Sequence, residues 1–176
     1  QGWDVLREQI LARQIERGIV PKSTKLAPKP EAIPDWDSLS ADEKRLFTRQ
    51  AEVFAAFVAM TDHEIGRVIK AIEDTGQLDN TMLIFVYGDN GSSAEGGRSG
   101  MFSEMTYFNG VQETVPDMLK FLDKWGRTRD LPAHGGRRRR GRGLGTPCPW
   151  TRQVASDHGG TKVGMAIRWP EGIKAK

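Results

Sequence analysis

Residues Met82 to Tyr87 place six apolar or aromatic side chains in succession, Met-Leu-Ile-Phe-Val-Tyr, with no polar residue among them. A strand with one wet face alternates apolar and polar residues. An unbroken run instead suits a strand covered on both faces, as in a largely parallel sheet flanked by helices. The expected fold is therefore α/β, with a mainly parallel central sheet.

The neighbouring sequence supplies helices for that arrangement. Val5, Leu6, Ile10, Leu11 and Ile15 recur at helical spacing over residues 3 to 17, with Gly18 as a stop. Ser40-Ala41-Asp42-Glu43 is a capping box, and behind it Leu46, Val53, Phe57, Ile65, Val68, Ile69 and Ile72 mark one face of a helix that Gly76 ends. Prolines at 21, 28, 30 and 34 make the stretch between these helices an extended connection. A further helix is expected at about 112 to 124, from Val115, Met118, Leu119 and Leu122, and a second strand at 163 to 169.

With 176 residues, of which 38% are hydrophobic, the chain can bury one core. No apolar run approaches the roughly 20 residues that span a bilayer, and Gln1-Gly2-Trp3-Asp4 has no leader pattern, so no membrane partner is expected. The absence of an initiator Met and the ending at Lys176 suggest a piece of something longer, which leaves the compartment open. The net charge of +3 is local: without the five arginines between 137 and 142 it is −2. Cys148, between Pro147 and Pro149, has no Cys or His at zinc-ligand spacing and is read as a bystander.

In open α/β sheets ligands collect beyond the carboxyl ends of the strands, and there stand Gly88-Asp89-Asn90-Gly91. Taken alone, Asp-Asn-Gly is either a pair of oxygen donors for a hard cation or a tight turn. The longer run from Asp79 to Gly96 decides between them, because it resembles the metal-binding strand and loop of bacterial arylsulfatases. The resemblance continues in Gly2-Trp3-Asp4, Leu11-Ala12-Arg13-Gln14, Trp36-Asp37-Ser38-Leu39-Ser40, Asn109-Gly110-Val111, Gln153-Val154-Ala155-Ser156 and Gly159-Gly160-Thr161. It implies part of the catalytic domain of a sulfatase, with the alkaline-phosphatase-like α/β fold, over residues 1 to 176. It also implies a sulfuric ester hydrolase acting on small aryl sulfate esters with a divalent cation, usually calcium. Its bacterial members point to the cytoplasm or the periplasm.

Carried onto this sequence, the resemblance makes Asp89 and Asn90 two of the cation's ligands, the others lying upstream of Gly2. A lysine that contacts the sulfate in the family falls on Arg152 here; arginine keeps the charge but is bulkier and forked, so the exchange is not conservative. Lys162, where the family more often has arginine, is given no role. The family's nucleophile is a formylglycine made from the first residue of Cys/Ser-x-Pro-x-Arg. Cys148 does not match that signature, so the nucleophile is expected upstream and this segment alone is expected to be inactive. His63 and His158 lack clustered partners and are read as structural or solvated. A phosphodiesterase or phosphonate hydrolase of the same superfamily is the alternative, since the same metal geometry serves both.

Residues 127 to 144, rich in glycine and arginine, fit no element and stand outside the resemblance. The run Arg137 to Arg142 is the pattern of a non-specific phosphate-binding tract, the non-enzymatic alternative. One run without interleaved aromatics or a second basic patch argues against a nucleic-acid partner. A shifted reading frame accounts for it better. Asp130 to Gly136 can be encoded as GAC CTA CCC GCA CAT GGC GGT, and a start one base later gives Thr-Tyr-Pro-His-Met-Ala, which resembles the family's text at this point. The frame would be restored before Thr146-Pro147.

Overall fold

The structure is a computed structural model, and it describes residues 2–29, 31, 33–87, 99–102, 104–127, 148, 158–161 and 163–174. Contacts divide the chain into two compact units, one of residues 1–53 and 90–162, the other of 54–89 and 163–176.

The first unit holds the core. Helix α1 spans Trp3–Glu16, but its buried side chains are Trp3 and Arg7, while Val5 and Leu6 of the expected apolar stripe are exposed. Trp3 is fixed edge-on against Trp36 at 4.8 Å and packs on Phe47 at 6.0 Å. The proline-rich connection is tied back to α1 by polar contacts. Arg7 Nη2 donates to the Ala27 carbonyl at 2.7 Å, and the Trp36 amide donates to Asp4 Oδ2 at 2.9 Å. Lys29 pairs with Asp35. A short 3-10 turn, Trp36–Ser38, then leads into α2.

The capping box forms as expected: the Glu43 amide donates to Ser40 Oγ, and the Ser40 amide donates to Glu43 Oε2 at 3.0 Å. It starts α2, Ala41–Asp74, whose 34 residues extend roughly 50 Å at 1.5 Å per residue. Leu46, Phe47 and Val53 enter the core with Trp3, Leu39, Phe102, Met118 and Trp125. The expected helix at 112 to 124 is broken in two. Helix α3 occupies Glu104–Phe108, α4 occupies Val115–Leu119, and a 3-10 turn occupies Leu122–Lys124. Pro116 suits the first turn of α4, where no amide partner is needed, but Phe121 leaves helical geometry at φ −116 and ψ 16. A four-residue helix, α5, covers His158–Thr161.

The second unit contains the two expected strands, β1 at Leu83–Tyr87 and β2 at Gly164–Arg168. They pair antiparallel, with Leu83 opposite Arg168 and Tyr87 opposite Gly164. Among the described residues the sheet is this two-stranded ribbon, not a mainly parallel one. Nor is β1 covered on both faces: Ile84 and Val86, with their cross-strand partners Ile167 and Met165, form an apolar face on which all four are exposed. The apolar run encodes a strand that demands cover, but not which neighbour provides it. No helix among the described residues is long and apolar enough to cross a membrane.

Candidate metal centre

Strand β1 ends at Tyr87, two residues before Asp89 in the sequence. Asp89, Asn90, Arg152 and Lys162 themselves lie outside the described residues, as does the Arg137 to Arg142 run. The structure does describe how the chain is held where it leaves the 88–98 segment.

That segment is followed by Ser99 to Phe102, which is fastened into the first unit by apolar and polar contacts. Met101 and Phe102 are buried. The Phe102 ring lies 4.3 Å from Trp125 and edge-on to Phe121 at 5.6 Å. Gln50, on the buried stripe of α2, donates from its side-chain amide to the Ser99 carbonyl at 3.0 Å and points a second contact at Met118 Sδ, 3.9 Å away. Glu113 accepts from the Phe102 amide at 2.5 Å through Oε2 and from the Thr106 hydroxyl at 2.7 Å through Oε1. Gln50 is 2% exposed, and an amide in such a place costs about 1–3 kcal/mol unless it is bonded. Periodicity hides both residues. The visible signal for Gln50 is a polar side chain on the stripe between Leu46 and Val53.

Below this anchor α4 carries its own cap. The Thr114 hydroxyl donates to Asp117 Oδ2 at 2.5 Å, and Lys120 Nζ donates to Asp117 Oδ1 at 2.8 Å. Lys120, and after it Thr114, hold the Asp117 carboxyl down to about 2, below its ordinary 3.8. These groups are exposed and serve the helix end. His63 on α2 and His158 on α5 are exposed, and Cys148 is free.

A carboxylate and a carboxamide oxygen are donors that a hard cation accepts, so Asp89 and Asn90 fit such an ion chemically. Two donors fall short of the about six to eight oxygens calcium takes. Among the described residues no group of three or more His, Cys, Asp or Glu side chains can make up the difference. Cys148 is followed directly by Pro149 and Trp150, which does not match Cys/Ser-x-Pro-x-Arg.

Comparison with known proteins places the chain in a family. The family model for sulfatases matches residues 15–176. An uncharacterized sulfatase of Schizosaccharomyces pombe is 41% identical over 93 residues, 52% of this chain and 17% of that protein. An arylsulfatase of Klebsiella aerogenes is 29% identical over 96 residues, 54% of this chain and 20% of that protein. This chain therefore belongs to the sulfatase family. The matched stretch spans about a fifth of the length of these relatives.

Proposed function

We propose that this chain supplies the cation-holding portion of a sulfate ester hydrolase of the arylsulfatase type, acting on small aryl sulfates. The observation that carries the reading is the sulfatase match over 15–176, a stretch that includes Asp89-Asn90, which follow β1 after Gly88 in the sequence. The name of the Klebsiella relative supports the aryl specificity.

Asp89 and Asn90 would hold a divalent cation such as calcium, offering it a carboxylate and a carboxamide. When bound, that cation offsets negative charge on the sulfate oxygens as the S–O bond breaks. Arg152 contacts a sulfate oxygen through its guanidinium, whose planar fork gives direction and whose charge does not titrate. In the whole catalytic domain β1 belongs to a mainly parallel sheet with helices on both faces, which accounts for its unbroken apolar sequence. The nucleophile and the remaining ligands belong to chain outside these residues, so this segment alone does not turn over substrate. Neither a nucleic acid nor a membrane is a partner.

Calorimetry tests the shared cation site. The isolated chain is expected to bind calcium with a Kd of roughly millimolar or weaker, because two donors leave most of the ion's shell to water. Asp89→Ala is expected to remove that binding. Micromolar affinity, or affinity unchanged by Asp89→Ala, would contradict a site shared with other chain.

A further inference from the structure

We infer that the first half of α2 carries a binding site for a phosphate group, built from Lys44, Arg45, Thr48 and Arg49 against a wall formed by Leu122. Asp89, Asn90 and Arg152 play no part in it.

These side chains, with Glu52, line an open cleft of about 370 Å³ that lies wholly within the first unit. Its volume is that of a small-molecule site. Positions 44, 45, 48, 49 and 52 recur at helical spacing, so α2 brings them to one face beside its buried residues Leu46, Phe47, Gln50 and Val53. Leu122, from the 3-10 turn, packs against the core, which fixes the opposite wall.

Charges on a helix face ordinarily pair along the helix and leave the face neutral. Arg45 follows that pattern through Asp42 at 3.3 Å. Lys44 does not: its Nζ donates to the Asp37 carbonyl at 3.2 Å, and among the described residues it has no carboxylate partner. Arg49 is held from two sides. Its Nη2 donates to the carbonyl of the fully buried Trp125 at 2.8 Å, and its Nη1 reaches Glu52 Oε2 at 3.4 Å. A guanidinium has more N–H groups than those two contacts use, and the Arg49 side chain is still 30% exposed. The face thus sets three cations against two carboxylates, with one guanidinium already fixed in place. A fixed guanidinium, an ammonium and the Thr48 hydroxyl suit an anion with several oxygens in different directions. A phosphate group has three such oxygens and close to two negative charges at neutral pH, where a carboxylate has two oxygens and one charge. The ligand is the free ion or a small phosphate monoester whose apolar group lies on Leu122.

Calorimetry on the full 176-residue chain at low ionic strength, with inorganic phosphate and with phenyl phosphate, tests the site. Saturable binding of roughly millimolar affinity is expected, because a ligand of so few atoms in an open cleft gains little more. Tighter binding of phenyl phosphate, cancelled by Leu122→Ser, assigns the cleft to a monoester, and equal affinities assign it to the free ion. Lys44→Gln and Arg49→Lys are each expected to weaken binding about threefold or more. Glu52→Gln removes an opposing charge and is expected to tighten it about twofold, which a loss of helix stability would not do. The five arginines between 137 and 142 are a competing phosphate tract, so a chain with all five changed to serine is titrated in parallel and is expected to keep the saturable binding. Binding that disappears in that chain, or that neither Lys44→Gln nor Arg49→Lys weakens, overturns the assignment. So does a failure of both ligands to saturate, or a Glu52→Gln chain that binds as weakly as Lys44→Gln. Should Arg49→Lys not fold, Lys44→Gln and Glu52→Gln, on side chains outside the core, carry the same expectations and the same refutation.

Discussion

Gly126→Ala perturbs the junction between the Trp125 core residue and the segment that follows it, and its cost can be worked out from the structure. Gly126 has φ +75, in the left-handed region, where a side chain costs roughly 1–2 kcal/mol. A Cβ there would also stand 2.7 Å from Val53 Cγ2 and 2.9 Å from Cγ1. Val53 is buried and β-branched, so it cannot swing away, and such overpacking costs roughly 1–3 kcal/mol. The smaller entropy of the unfolded alanine chain returns about 0.5 kcal/mol. The net expectation is about 2–4 kcal/mol. Gly110→Ala is the control in the same unit: φ is +73, but nothing lies within 4 Å of the added Cβ, so only the backbone cost of about 1 kcal/mol remains. The steric share should vanish when both valine methyls are removed. In a double-mutant cycle, Val53→Ala with Gly126→Ala is therefore expected to cost at least about 1 kcal/mol less than the sum of the singles. Urea denaturation followed by tryptophan fluorescence measures all four. Equal costs for Gly126→Ala and Gly110→Ala, together with additive singles, would refute the close packing of Val53 on Gly126.

Leu46 is fully buried in the core, and Leu46→Ala should cost roughly 2–5 kcal/mol by the same denaturation, whereas a loss under about 1 kcal/mol would contradict its placement. The Asp117 carboxyl, held down to about 2 in the folded chain against an ordinary 3.8, contributes stability to the α4 cap that is fully present above pH of about 4. It is lost as pH falls through the interval toward about 2. A side-chain carbon titration by NMR with its midpoint near 3.8 would remove that contribution, and Lys120→Ala should move the midpoint upward. If residues 127 to 144 are out of frame, resequencing the gene will find a compensating insertion and deletion around them, and clean reads without such a pair end that explanation.

The starts of α1 and α2 and the two strand positions were legible because they depend on local chemistry. Ser40 and Glu43 cap each other wherever a helix follows, and five of the six apolar residues from Met82, Leu83 to Tyr87, form a strand under any cover. What surrounds each element was not legible. The stripe on α2 reads as continuous, yet Leu46 and Val53 are buried while Phe57 and Val68 are exposed. The apolar run of β1 predicted parallel neighbours, and its described partner is antiparallel. Trp3 and Arg7, rather than Val5 and Leu6, fill the inner side of α1, because the Trp36 contact decides how that helix is turned. At the candidate site, Asp89-Asn90-Gly91 alone reads more readily as a turn than as a ligand pair, and only the longer run around it favours the cation. Gln50 and Glu113 escaped sequence reading because their roles depend on Ser99 and Phe102, partners that no spacing rule reveals.

We propose that Asp89 and Asn90 serve a cation in sulfate ester hydrolysis. Turnover of nitrophenyl sulfate tests it, measured on this chain alone and on a sulfatase joined to an upstream half that carries Cys/Ser-x-Pro-x-Arg. The chain alone is expected to be inactive and the joined protein active. Asp89→Ala is expected to reduce the joined protein's kcat/KM about 100-fold or more, since groups that act as a unit fail together. Arg152→Lys is expected to raise turnover. Hydrolysis by the chain alone that survives Asp89→Ala, or a joined protein that cleaves phosphate diesters and never sulfates, would contradict the claim.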